Sequence, residues 1–158
     1  MKVSIICVGK IKEKFFTDAI KEYSKRISRF ADFEITELPD ERIPDNASEK
    51  ESEQIKFREG EKILSKIDPR SYVISLCIEG KTLDSVELAN TMRNAYQTAN
   101  RITFIIGGSL GLSDKVKNRS DLKLSFGRMT LPHQLMRVVL TEQVYRSFMI
   151  NSGATYHK

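Results

Sequence analysis

The chain has 158 residues, 40% of them hydrophobic and 30% charged, with a net charge of +5. That is enough apolar material for one core and fits a single domain spanning residues 1–158. The apolar runs fall well short of the roughly 18 residues that cross a bilayer, so no membrane partner is expected. The two cysteines, Cys7 and Cys77, form no C-x-x-C pair, and His133 and His157 lie far from both. They read as buried, reduced thiols, with no metal site.

The chain begins MKVSIICVGK, a lone Lys and a short apolar run without a small-residue cleavage site. It reads as a first strand, Val3–Val8, in a cytoplasmic protein rather than as a signal peptide. Residues 12–30 form an amphipathic helix, with Phe16, Ile20, Tyr23, Ile27 and Phe30 at three- and four-residue steps. Phe33–Leu38 is a second strand, followed by an acidic loop bounded by Pro39 and Pro44. Ser48 and Glu51 form a capping box that opens a helix to about Ile67. Ser71–Ile78 is a third strand. Asp84 with Glu87 opens the next helix, with Val86, Ala89, Met92 and Tyr96 on one face. Arg101–Ile106 is a fourth strand, running into Gly107-Gly108; a short turn or helix near Asp114–Asn118 leads to a fifth, Leu122–Phe126. The last helix runs from about Pro132 to Phe148, and the tail NSGATYHK shows no periodicity.

Alternating strands and helices predict an α/β fold, a mostly parallel sheet with helices on both faces. Ligands in such sheets bind beyond the carboxyl ends of the strands. Three loops stand there, after Leu76, after Ile106 and after Phe126. The glycines of FIIGGSLGL, residues 104–112, let backbone take positive φ and let a ligand lie against bare amides. The spacing is neither G-x-G-x-x-G nor a P-loop, and a plain tight turn explains the fragment equally well. In LSFGRMTLPHQ, residues 124–134, the chain leaves a strand, passes a glycine and enters a helix at Pro132, a favoured first-turn position. An ordinary strand-to-helix loop accounts for this stretch as well as a purine-holding loop does. His133 is read as packing or capping.

On a helical wheel of about 100° per residue, the last helix is apolar around its whole circumference, which implies burial on all sides and a second subunit over the remaining face. Glu142 and Arg146 lie four residues apart within it. They form either an ion pair that fixes register at the dimer contact or an arginine presented to a phosphate or base. From Arg128 to Lys158 four fixed cations face one acid, Glu142, a balance suited to a polyanion. Tyr156, His157 and Lys158 read as a frayed end or as groups that stack on a base and touch phosphate.

The segments IIGGSLGL and LSFGRMTLPHQLMRVVLTEQVYRSFMI, with the terminal YHK and the opening VGKIKEKF, closely resemble the ribosomal RNA large subunit methyltransferase H family of the SPOUT superfamily. The resemblance covers the whole chain. It implies a SPOUT methyltransferase fold with a deep trefoil knot at the C-terminal end. It implies a homodimer that uses S-adenosyl-L-methionine to methylate N3 of a pseudouridine in 23S ribosomal RNA, within the large subunit or the assembled ribosome. Carried over by motif, it points to Leu76, Gly108, Gly127, Arg128, Met129, Thr130, Leu131 and Pro132 as the cofactor pocket. Arg146, Tyr156 and His157 are the expected catalytic groups: Arg146 as electrostatic stabiliser, Tyr156 as a stacking or orienting group and His157 as the base, since imidazole suits proton transfer near neutral pH. Two other readings are a non-catalytic ribosome- or RNA-binding protein of the same fold, and a small α/β enzyme acting on a free nucleotide.

Overall fold

A computed structural model describes residues 1–158. Its elements in chain order are β1 (Lys2–Val8), α1 (Lys14–Ile27), β2 (Asp32–Leu38), α2 (Glu49–Lys66), β3 (Tyr72–Thr82), α3 (Ser85–Ala95), β4 (Arg101–Ile106), α4 (Asp114–Arg119), β5 (Leu122–Ser125) and α5 (His133–Asn151). The five strands form one sheet in the order β2-β1-β4-β3-β5, with every pairing parallel. Buried on both faces, β1 and β4 are near-continuous apolar runs, as parallel strands require. Val3, Ile5 and Cys7 join one core with α1, α3 and α5, while Ile6 and Val8 join a second with α2 and α4. The period of two thus sends alternate side chains of one strand into the two helical layers.

Several local expectations change. The third strand does not stop at Ile78: its pairing with β5 shifts between Leu76 and Lys81, so residues 77–80 bulge out and the strand resumes to Thr82. Gly80 permits this, because a Cβ there would sit 2.7 Å from the Lys123 backbone. The bulge leaves Ile78 62% exposed and Cys77 only half-buried, against the expectation of a buried strand and a buried thiol. Cys7 is fully buried, and burial pushes its thiol up to about 11. At α2, Ser48 accepts from the Glu51 amide; the complete reciprocal box forms at α3, between Asp84 and Glu87. On α3 the buried face is Leu88, Ala89, Met92 and Ala95, with Val86 exposed, because the helix is turned toward α5. Phe126 lies beyond β5 and is exposed.

From β5 at the sheet edge the chain runs through residues 126–132 to α5, whose first turns reach the ends of β1 and β2. There the fully buried Arg137 donates to Glu37 at 2.8 Å and to the Gly9 carbonyl at 3.2 Å. Its Nε has no partner. Arg137 therefore belongs to the interior and adds nothing to a surface patch. No residue from Gln134 to Ile150 is exposed, even in the single chain, because α1 and α3 flank α5. The all-round apolar surround assigned to a second subunit is thus largely supplied from within. A half-buried stripe remains, formed by Leu135, Val138, Val139, Met149 and Ile150 around the Glu142–Arg146 pair.

Candidate active site

A cavity of about 440 Å³ opens at the carboxyl ends of β3, β4 and β5. Its walls come from the three loops singled out by topology: the β3 bulge from Leu76 to Glu79, the segment Ile106–Leu112 after β4, and Phe126, Gly127 and residues 129–131 after β5. His133 and Met136 of α5 close one side. Of the residues expected to hold a cofactor, Leu76, Gly108, Gly127, Met129, Thr130 and Leu131 line the cavity. Arg128, exposed, and Pro132, which starts α5, are not in the wall.

Two glycines have separate physical reasons. Gly127 has φ +110, a left-handed conformation that turns the chain between β5 and the loop. Gly108 has an ordinary φ, but a Cβ there would meet both carboxylate oxygens of Glu59, at 3.1 and 3.3 Å, and Val8 at 3.3 Å. Packing against Glu59 and Val8 under the loop therefore favours glycine at 108. Glu59 is 5% exposed and accepts from the Glu41 amide at 3.1 Å. Burial pushes its carboxyl above the usual range. Lys117 and Glu79 pair at 2.5 Å in the cavity wall, which holds Glu79 ionised by lowering its carboxyl. Sequence inspection missed Glu59, Glu79 and Lys117; the last two meet only because the bulge brings β3 against α4.

The structure gathers the three expected catalytic residues into a second cluster, organised by Glu142. Arg146 donates to Glu142 from Nε at 3.0 Å and from its terminal nitrogen at 2.6 Å. Tyr156 donates its hydroxyl to the same oxygen at 3.2 Å. Its ring lies 4.8 Å from the guanidinium carbon, and 4.9 Å from the ring of Tyr145 in edge contact. His157 Nδ1 stands 3.2 Å from Arg146. The tail is therefore held rather than frayed. The hydrogen bond from Arg146 to Glu142 raises the guanidinium further. Burial and the adjacent Glu142 charge push the Tyr156 phenol up, so it remains a donor. The Glu142–Arg146 spacing was visible in sequence, but nothing there signalled that Tyr156 would share the carboxylate.

The cluster does not line the cavity of its own chain. Arg146 follows Met136, a wall residue, by ten positions on one helix, about 15 Å at 1.5 Å per residue. Within the single chain the two constellations are separate. No group of three or more His, Cys, Asp or Glu is arranged to hold a metal ion, and no helix is long and apolar enough to cross a membrane.

Comparison with known proteins gives consistent findings. The family model described as "Predicted SPOUT methyltransferase" matches residues 1–157. The ribosomal RNA large subunit methyltransferase H proteins of Streptococcus pneumoniae strain CGSP14 and of Streptococcus uberis are each 57% identical over 159 residues, covering all of both chains. Among solved structures, the tRNA (m1G37) methyltransferase from Aquifex aeolicus aligns with a TM-score of 0.52 at 15% identity, over 92% of this chain and 70% of that one. The Legionella pneumophila protein Lpg2936, in complex with its bound cofactor SAM, aligns with a TM-score of 0.52 at 13% identity, over 91% and 65%. At such identities the two structures speak to the fold alone.

Proposed function

The chain belongs to the SPOUT methyltransferases, in the ribosomal RNA large subunit methyltransferase H family, and from that premise we propose that it transfers a methyl group from S-adenosyl-L-methionine to N3 of a pseudouridine in 23S ribosomal RNA. The observation that carries this reading is the convergence of three strand-end loops on one cavity of about 440 Å³. That volume lies in the range of small-molecule sites, and its mix of apolar side chains and glycine backbone suits a nucleoside-type ligand. The residues fit the cofactor: Leu76, Ile106, Leu124 and Leu131 offer apolar walls, and Gly107, Gly108 and Gly127 bring backbone close. Arg128 and Pro132 would shape the same loop from outside the wall. Bound there, S-adenosyl-L-methionine supplies an electrophilic methyl on a sulfonium.

The protein's part is positioning and proton management. Reacting atoms must approach within about 3–3.5 Å in line, and the imide N3 must lose its proton before it attacks. In this reading Arg146 stabilises the charge that develops on the neighbouring carbonyl oxygens. Tyr156, locked to Glu142, orients or stacks on the base, and His157 accepts the N3 proton. The distance of about 15 Å along α5 and the half-buried stripe beside Glu142 and Arg146 both support a homodimer. Two copies would pair along that stripe, the cluster of one completing the cavity of the other. The passage of the chain from the edge strand β5 across to the ends of β1 and β2 supports the trefoil knot. A ribosomal substrate assigns the protein to the cytoplasm, and so small an enzyme reads a large preformed surface, the large subunit or the assembled ribosome.

The test is methyl transfer from labelled S-adenosyl-L-methionine to intact ribosomes, isolated large subunits, free ribosomal RNA and mononucleotides, with the modified nucleotide mapped. Label confined to one pseudouridine of 23S ribosomal RNA is the expected result. Cofactor binding with no label anywhere would leave the non-catalytic RNA-binding reading standing. Label on mononucleotides alone would favour the free-nucleotide enzyme.

A further inference from the structure

The opening segment VGKIKEKF takes no part in the cavity wall or in the Arg146 cluster, yet it is fixed to the carboxyl end of β2 and to the first turns of α5. Gly9, at φ +93, donates to the Leu38 carbonyl at 2.7 Å and accepts from buried Arg137. The Ile11 amide donates to Glu37 at 2.9 Å and the Lys12 amide to Gln134 at 3.3 Å. Gln134 is the residue after His133, which lines the cavity. Backbone groups make these contacts in the loop, so the side chains of Lys10 and Lys12 are left exposed. No acidic partner engages Lys10 or Lys12. Glu37 is already paired with Arg137 and Asp18 with Lys14, which leaves Glu13 as the loop's one unpaired acid. Phe15 is 66% exposed directly after the loop, and Phe126 and Met129 are exposed at the cavity mouth.

We propose that the β1–α1 loop, through Lys10, Lys12 and Phe15, is an RNA-docking surface at the rim of the cavity. The proposal rests on the ribosomal RNA reading above. Unpaired ammonium groups held on a stapled backbone bind phosphate with little ordering cost, and an exposed aromatic offers a stacking face to an unpaired base. Such contacts position the substrate without reading its sequence. Because the loop is joined to Gln134, a phosphate bound there has a fixed register to the cavity.

The experiment is co-sedimentation of the full chain with purified ribosomes and large subunits at several salt concentrations. Methyl transfer, S-adenosyl-L-methionine binding by calorimetry and oligomeric state by sedimentation are measured in parallel. Lys10→Glu with Lys12→Glu is expected to weaken ribosome binding by about tenfold or more with cofactor affinity and oligomeric state unchanged. Lys10→Ala with Lys12→Ala should lower the slope of log affinity against log salt by about one to two. The double arginine variant should bind as the parent does, and Phe15→Ala should weaken binding without changing the slope. Wild-type-like ribosome binding by the charge-reversed protein overturns the proposal, as does a parent that does not bind ribosomes. A charge-reversed protein that loses self-association overturns it too, since the surface would then face a second copy. Loop-dependent binding by a parent that transfers no methyl would support the docking surface while rejecting the methyl-transfer reading.

Discussion

Two arginines nine positions apart on α5 meet opposite fates. Arg137 is 1% exposed, and its guanidinium is spent on Glu37 and the Gly9 carbonyl, which ties α5 to the ends of β1 and β2. Arg146 keeps 24% of its side chain accessible, shares Glu142 with Tyr156 and faces His157. A cation with every approach closed by its own chain serves the fold. One whose partners are side chains on a stripe still open to contact can exchange them for a ligand. Residue type and helical spacing do not distinguish the two; depth and partner do.

The largest effect that would sharpen this contrast is on stability. Arg137→Ala leaves a cavity where a buried side chain stood and removes its hydrogen bonds to the Gly9 carbonyl and to the partly exposed Glu37, which is expected to cost about 2–4 kcal/mol. Equilibrium denaturation checks this; a loss below about 1 kcal/mol would mean that α5 is held in place by apolar packing alone. Arg146→Ala is expected to do the reverse. Its fold should lose less, about 1–2 kcal/mol, because Glu142 keeps the Tyr156 hydroxyl as a donor, and its cofactor affinity should stay intact. Turnover should fall by about 10²–10³, the typical size of a lost oxyanion stabiliser. Normal turnover would return Arg146 to the same structural class as Arg137.

The smallest effect concerns Glu59, the carboxylate under Gly108. Its folded pKa is raised by burial, so the native state holds the proton more tightly than the unfolded chain. Stability from this group then falls as pH rises from the ordinary carboxylate range through the raised value. Glu59→Gln keeps the acceptor for the Glu41 amide and removes the charge. It should raise the melting temperature at pH 7.5 relative to the parent, by an amount worth about 1 kcal/mol or less, and by less at pH 4.5. An equal effect at both pH values would mean that Glu59 is not penalised as a buried anion.

Much of the architecture was legible because it is written locally. The near-continuous apolar runs in Val3–Val8 and Arg101–Ile106, the caps at Ser48 and Asp84, and the glycines at 107–108 and 127 each act within a few residues. They located the strand-end loops that line the cavity. The five-residue shift in β3 was not legible, since a run such as YVISLCIEGKT has the same apolar start whether or not it bulges. The expected catalytic set was named from motif resemblance. That Tyr156 and Arg146 would converge on Glu142 follows from the turn of the tail back onto α5.

Composition and periodicity by themselves determined the alternation of five strands with helices, hence a covered parallel sheet with candidate binding loops at its carboxyl side. Those are consequences of side-chain pattern along short stretches of backbone. Only the tertiary structure decided which polar groups are buried and with whom. Arg137 meets Glu37 across 100 residues of chain, and Glu59 lies beneath Gly108. Such pairings are fixed by the cost of leaving a charge unpaired in the interior. That cost is set by how distant segments pack, and no local sequence signal carries it.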